Sequence, residues 1–490
     1  MSALPRIPQP TVTIAVGDAV EGNEVISARI VVDDCVGTVE LRPGQAGQSV
    51  EWVTGVPTDP TPDHDLTDSA EFFDDGWRAA GGSLVRRIST QIDGHPVRAK
   101  KHLVQVRVPD VATATNVQSL VIGLVVGNHT LVTSHTKKAR VQAVNIVFEH
   151  TDPSRVQALS EAAAHGERLA QATCLARDLS NTPSNIKTPE WLANKALTAV
   201  EDIPGVKVRV RDKAWLKSKG FGGILAVGAG SKHKPALVEM EWNPDRVGQR
   251  RRRKSVLLVG KGVTFDTGGI SLKPAAGMGS MRTDMTGGAS VLAAFRALAQ
   301  MQVPRRVVAL IPMAENMVDG KSYRPGDVVE HYGGITTEVS NTDAEGRMLL
   351  ADAVAYGTKK YKPSTVVTLA TLTGAAKLAL GLRVGAVFAP NWGKGVKLAR
   401  RGAVVGERWW PMPMLEYLED AVDSTVADVH QTPKGPGAVT AAMFLRRFTR
   451  GVPFYHLDIA GPGRAESTFD EITPLGTGFG ARTLINWLSR

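Results

Sequence analysis

From residue 255 onward, short apolar runs alternate with amphipathic stretches. "SVLLVG" (255–260), "RRVVALIPM" (305–313) and "STVVTLATL" (364–372) are nearly continuous runs of branched and apolar residues, as strands buried on both faces require. Between them, "GGASVLAAFRALAQM" and "GRMLLADAVAYGTKKY" carry helical periodicity, the second with Met348, Leu349, Ala353 and Val354 on its packing face. Strand–helix alternation of this kind predicts an α/β fold with a largely parallel sheet flanked by helices.

Upstream the pattern changes. Residues 1 to about 150 read as β-rich runs, "ARIVV", "SLVIGLVVG" and "VQAVNIVF", separated by acidic and Gly/Pro loops. "DPSRVQALSEAAAHGERLAQATCLARDLSN" (152–181) then has helical periodicity, broken only by Gly166, and suits a helix connecting two domains. The expected division is a smaller amino-terminal α/β domain, 1–165, and a larger catalytic domain, 166–490. A further helix is announced by Thr188 as N-cap, Pro189 in the first helical position and Glu190 in the first turn.

Composition adds limits. The 490 residues, 43% hydrophobic, with 49 glycines, fit a globular enzyme of more than one domain. The formal charge of +10 suggests an anionic partner, but its distribution weakens that reading. Residues 1–165 carry 14 Lys and Arg against 19 Asp and Glu, leaving 44 against 29 for the remainder. The run "RRRRK" (250–254) has no interleaved aromatics and reads as a solvated turn and gatekeeper ahead of a strand, in preference to a phosphate-binding patch. Cys35 and Cys174 cannot make a disulfide framework, and no Cys-x-x-Cys is present to hold zinc. The opening "MSALPRIPQPTVTIAVGDAV" lacks the regions of a signal peptide, and no apolar run is long enough to span a bilayer. The expectation is a cytoplasmic protein with no membrane partner.

The polar motifs fall where the apolar runs end, which is where open α/β sheets form ligand sites. "VGKGVTFDTGGISLKPAAGMGSMRTDMTGG" presents Lys261, Asp266, Lys273 and Asp284 among eight glycines, yet lacks the Gly-Lys-Ser/Thr of a phosphate-binding P-loop. "NTDAEGR" (341–347) adds Asp343, Glu345 and Arg347 at every second position, a spacing that in extended chain points all three to one side. Taken singly, each carboxylate is an ordinary solvated side chain. Pooled in one pocket, four would repel and resist ionisation, a conflict that a pair of divalent cations resolves when hydrolysis is the task. Oxygen ligands suit Mg²⁺ or Mn²⁺ and are accepted by Zn²⁺. No HExxH or HxxEH occurs, and His331, ahead of "YGG", reads as structural.

These stretches, with "AENM", "YRPGDV", "ATLTGA", "HLDIAG" and "TGFGARTL" in the same order, resemble the leucyl (cytosol) aminopeptidases, two-metal exopeptidases. The resemblance is dense from about 165 to 490 and loose before it. It implies one metal held by Asp266, Asp343 and Glu345, and a second by Lys261, Asp266, Asp284 and Glu345, with Mn²⁺ or Zn²⁺ as the ions and Mg²⁺ as the harder alternative. It further implies a metal-bridging hydroxide as nucleophile, and a peptide substrate whose free α-amine binds the second metal. Lys273 would polarise the scissile carbonyl, and Arg347 would hold a bicarbonate as general base. Met281 would line the pocket for a leucine-like first side chain, and Thr371 and Gly374 the substrate strand. A homohexamer of stacked trimers is the implied assembly.

Two stretches depart from the family's pattern, "VADVHQTPKGPGAVTA" and the "PGRAESTFDE" that follows "HLDIAG". Both are expected to border the substrate entrance and to affect side-chain preference. The competing readings are a two-metal phosphohydrolase, since carboxylates with Lys and Arg also suit phosphate esters, and an aminopeptidase with an added DNA-binding role.

Overall fold

The computed structural model describes residues 11–16, 25–32, 39–42, 51–56, 76–94, 103–129, 131, 143–148, 153–250 and 253–489. Residues 1–10, Cys35, and Arg251 and Arg252 of the basic run lie outside the described residues. Two compact units are formed, Met1–Cys174 with Glu466–Pro474, and Leu175–Ala465 with Leu475–Arg490.

The first unit contains strands β1 (Thr11–Val16), β2 (Val25–Val32), β3 (Val39–Arg42) and β4 (Glu51–Val56), helix α1 (Gly76–Gly94), β5 (Leu103–Val108), α2 (Ala114–Asn128) and β6 (Ala143–Phe148). The six strands form one sheet in the order β1-β6-β5-β2-β4-β3, parallel except for the β3–β4 pair. "SLVIGLVVG", expected as a strand, lies in α2 instead. A local cap and a close helix–helix approach accompany this. Thr113 and Asn116 make a capping box, in which Thr113 Oγ1 accepts the Asn116 N–H at 3.2 Å and Asn116 Oδ1 accepts the Thr113 N–H at 2.8 Å. Gly123 then admits α1 to backbone contact, because a Cβ there would lie 2.2 Å from the Arg78 carbonyl oxygen. Buried on every side from Asn116 to Asn128, the helix shows no polar face to betray its period.

The division between the units falls within α3 (Pro153–Asn181). Next come α4 (Pro189–Val200), β7 (Val206–Arg211), α5 (Lys213–Lys219), α6 (Gly222–Val227), β8 (Ala236–Trp242), β9 (Val256–Gly260) and β10 (Gly262–Asp266). The middle of the second unit is α7 (Thr286–Gln300), β11 (Val307–Asn316), β12 (Val328–Glu330), β13 (Thr336–Glu338), α8 (Glu345–Tyr361) and β14 (Thr365–Ala370). It continues through α9 (Gly374–Leu380), β15 (Val384–Phe388), α10 (Trp392–Ala403), β16 (Arg408–Met412), β17 (Val429–His430) and α11 (Gly437–Arg446). It closes with β18 (Phe454–Asp458), β19 (Arg464–Ala465), β20 (Leu475–Gly476) and α12 (Ala481–Leu488).

A nine-stranded sheet in the order β16-β15-β18-β14-β9-β11-β8-β7, with β10 beside β11, is the core of this unit. Its central pairs, β18–β14, β14–β9, β9–β11 and β10–β11, are parallel. Antiparallel pairs occur farther out, at β15–β18, β11–β8 and β8–β7. Strands β9, β11 and β18 are buried at every position, with α7 and α8 packed against β9 and β11. The fold is therefore α/β with a mostly parallel central sheet, as the alternation predicts. Register aligns the carboxyl ends of three strands: Leu369 pairs with Gly260, and Ala370 with Asp458. The chain thus leaves β9, β14 and β18 at one level, at Lys261, Thr371 and Ile459. Among the described residues no helix is long and apolar enough to cross a membrane.

Thr188 caps α4 as its sequence predicts, accepting the Trp191 N–H at 3.2 Å. The residue before it, Lys187, is fully buried and donates to the carbonyls of Leu179 (3.1 Å), Ser180 (2.6 Å) and Arg282. It thereby ties the last turn of α3 to the turn that precedes Asp284. Burial, with the charge of Arg282, pushes its pKa down to about 7, while three carbonyl acceptors match the three donors of an ammonium. Lys187→Met would strip all three carbonyls of this partner, so urea denaturation should show a loss of roughly 2–4 kcal/mol; an unchanged midpoint would mean the tie is dispensable.

Candidate metal centre

The acidic and basic residues singled out around the strand ends arrive from several elements. Lys261 follows β9, and Asp266 ends β10. Lys273 lies on the loop beyond it. Asp284 follows the 3₁₀ turn Met278–Thr283, while Asp343 sits in the turn ahead of α8. Glu345 and Arg347 belong to the first turn of α8. The extended-chain reading of "NTDAEGR" is therefore corrected: a turn and a helix start deliver the three side chains, not strand alternation. Gly346, between Glu345 and Arg347, leaves room for Lys261, whose Cε and Nζ would lie 2.7 and 2.9 Å from a Cβ at that position.

Ligating atoms of Asp266, Asp343 and Glu345 lie within 4.8 Å of one another. Lys261 Nζ stands 2.9 Å from Asp284 Oδ1 and 2.7 Å from Glu345 Oε1, and also donates to the Thr371 carbonyl at 3.0 Å. Lys273 Nζ bridges Asp266 Oδ2, at 2.8 Å, and Asp343 Oδ1. Asp266, Asp284 and Glu345 are buried, Asp343 partly so. Of the substrate-side residues, Thr371 joins the cluster directly, its Oγ1 donating to Asp284 Oδ1 at 2.8 Å. Met281 lies half-buried on the turn before Asp284, its carbonyl accepting the Asp284 N–H at 3.1 Å. Gly374 opens α9 and is exposed, and a Cβ there would meet nothing within 4 Å.

The electrostatics describe acids that resist ionisation. Burial raises the pKa of Asp284 well above the usual carboxylate range; Glu345 and Asp266 add to this, and Lys261 opposes it. Burial likewise raises Asp266, helped by the Glu345 charge, and Asp343, against its bond to Lys273. For Lys261 and Lys273 burial works against the charge, but the surrounding carboxylates outweigh it and hold both above the ordinary lysine value. Asp284 Oδ2 is buried with no hydrogen-bond partner. Four acids, oxygen-rich and short of donors, fit a hard or borderline divalent cation.

Several supports were not assigned roles from sequence. Asn316, from "AENM", donates through Nδ2 to Asp266 Oδ1 (2.8 Å) and to the Thr342 carbonyl (3.0 Å). Tyr323, from "YRPGDV", donates to the same carbonyl at 2.8 Å. Asp458, from "HLDIAG", accepts the N–H groups of Leu372, Thr373 and Ala460 and the Thr373 hydroxyl, fixing the loop after β14. Their motifs were visible, but only the fold shows what each side chain reaches. His331 is structural, bonded to Asp352 at 3.0 Å and to Thr337 at 2.9 Å.

A model of the cytosol aminopeptidase family's catalytic domain matches residues 174–485. The chain belongs to the cytosol aminopeptidase family. A probable cytosol aminopeptidase of Corynebacterium diphtheriae is 38% identical over 92% of this chain and 85% of its own length. One of Desulfovibrio desulfuricans is 45% identical over 66% of this chain, a match that spans 64% of that relative's length. Among solved structures, the bottromycin maturation enzyme BotP in complex with Mn superposes with a TM-score of 0.79 at 32% identity, covering 96% of this chain and 99% of that one.

Beside the acids, Arg347 is buried. Its Nη1 donates to the Gln431 carbonyl at 2.8 Å, and its Nε is buried without a partner. Burial lowers its pKa to about 10, against the pull of Glu345 and Asp458. The Arg347 charge acts in turn on His456, a buried imidazole stacked on Phe388 with Nδ1 2.9 Å from Thr368 Oγ1. Burial, then Arg347, holds the His456 pKa down at about 3, so protonation favours the unfolded chain, where histidine titrates near 6.5. The contribution is whole above that value and is lost as pH falls toward 3. Denaturation of wild type and His456→Gln should show the wild type's relative stability dropping by about 1.4 kcal/mol per pH unit below 6.5; parallel curves would mean the ring is not kept neutral.

Proposed function

We propose that this protein is a two-metal aminopeptidase that removes amino-terminal residues, leucine-like ones preferred, from peptides with a free amino terminus. The convergence of Asp266, Asp343 and Glu345 within 4.8 Å, beside Asp284 and Lys261, is the observation that carries the reading. Asp266, Asp343 and Glu345 would hold one divalent cation; Lys261, Asp266, Asp284 and Glu345 the other. The ions, Mn²⁺ or Zn²⁺ with Mg²⁺ as the harder alternative, would neutralise the acids and supply Lewis acidity for amide hydrolysis. BotP, similar in structure, is known in complex with Mn, which favours Mn²⁺ as the first ion to test.

The protein's own groups divide the remaining work. Lys261 Nζ carries a proton that its carboxylate partners hold tightly, and it must release that proton to act as a ligand. Lys273, half-buried beside Asp266 and Asp343, would polarise the scissile carbonyl and stabilise the oxyanion. Arg347, with a buried and unpartnered Nε, suits a small anion, and bicarbonate there would serve as general base. Thr371 at the end of β14 and Gly374, open to solvent, would flank the substrate backbone, with Met281 beside its first side chain. A cytoplasmic homohexamer is the assembly this reading carries.

Asp343→Ala and Glu345→Ala should each reduce leucine p-nitroanilide hydrolysis to background while circular dichroism stays native. Near-normal turnover in either would sink the metal assignment. Lys273→Ala should lower kcat by about 10²–10³-fold with little change in KM, because its work lies in the transition state. A rise in KM alone would remove Lys273 from the chemistry.

A further inference from the structure

The turn that delivers Asp343 and Glu345 is closed from outside by one side chain. Gln431, fully buried just after β17, accepts the N–H of Ser340 at 3.0 Å and of Asn341 at 2.9 Å on Oε1. Its Nε2 donates to the Ala344 carbonyl at 3.2 Å. A single carboxamide therefore grips residues 340–344 at both ends, ninety residues away in sequence. The amide orientation is fixed by this, since two N–H groups demand the oxygen and one carbonyl demands the nitrogen.

The backbone of the same residue continues the clamp. Gln431 N–H donates to the Glu338 carbonyl at 3.0 Å, and its own carbonyl accepts Arg347 Nη1 at 2.8 Å. Other contacts to the turn reach only part of it. Asn316 and Tyr323 hold the Thr342 carbonyl, Ser271 Oγ accepts the Thr342 N–H, and Asn341 Oδ1 accepts the Asp343 N–H from within. Among the described residues, Gln431 is the side chain that bonds to the turn on both sides of Asp343.

We infer that Gln431 is a positioning residue that holds Asp343, Glu345 and Arg347 in register, and so sets the affinity of the site for divalent cations as well as the turnover rate. The inference rests on the two-metal reading. An alanine would leave both N–H groups and the Ala344 carbonyl without these partners, freeing the turn to rearrange. A glutamate keeps the two accepted bonds but sets an oxygen against the Ala344 carbonyl.

Calorimetric Mn²⁺ titration of metal-stripped wild type, Gln431→Ala, Gln431→Glu and Asp343→Ala tests this, alongside kinetics at saturating Mn²⁺ and thermal unfolding of the metal-free forms. Gln431→Ala should bind Mn²⁺ about 10–100-fold more weakly. Its kcat should fall while KM stays near wild type, and Gln431→Glu should lie between the two. Wild-type Mn²⁺ affinity and kcat in Gln431→Ala would overturn the inference, as would a lowered unfolding midpoint with metal affinity unchanged. Should Gln431→Ala not fold, Gln431→Glu decides alone, wild-type affinity and kcat again overturning the inference. Equal Mn²⁺ binding by wild type and Asp343→Ala would instead fell the two-metal reading, and this inference with it.

Discussion

Four carboxylates, three of them buried and Asp343 partly so, crowd together in this protein, and the cost of their charge organises everything near them. Burial and mutual repulsion push Asp266, Asp284 and Asp343 toward the protonated form. The counterweights are two lysines, each bridging two acids, together with N–H donors such as Gly268, which donates to Asp266 Oδ1 at 2.8 Å. Asp284 Oδ2 still lacks a hydrogen-bond partner. A site built at such expense is poised for added positive charge, and its chemistry follows from that unfinished neutralisation.

The sheet makes the crowding feasible. Because β9, β14 and β18 end in register, Lys261, Thr371 and the Asp458-anchored loop emerge at one level. The turn between β13 and α8 brings Asp343 and Glu345 to meet them. Rigidity comes from buried side-chain amides and carboxylates bonded to backbone, as at Asn316, Gln431 and Asp458. Each spans segments far apart in sequence, so precision at the centre is a property of the assembled second unit.

The two stretches that the sequence reading set apart as departures have bonding roles within the fold. "VADVHQTPKGPG", expected to border the substrate entrance, also supplies Gln431 to the backbone of the acidic turn. The end of the other departing stretch, from Glu466 to Glu471, belongs to the first unit, where Glu471 accepts the Arg78 Nε–H at 2.8 Å. Composition at both places is shaped by internal bonding as well as by any contact with substrate.

By itself the sequence determined the α/β alternation, the helix start at Thr188, and the list of acids, lysines and arginine that meet at the strand ends. These are local or additive signals: apolar period, capping chemistry, and residue types crowded into short motifs. It misread α2, because a helix buried all round has no polar face to reveal its period. It also took "NTDAEGR" for extended chain, since spacing of two is silent about a turn that opens a helix. Partnership across long separations was left to the tertiary structure. That Gln431 grips 340–344, that Lys187 ties α3 to the turn before Asp284, and that Gly346 makes room for Lys261 are facts of packing, set by contacts no linear pattern encodes.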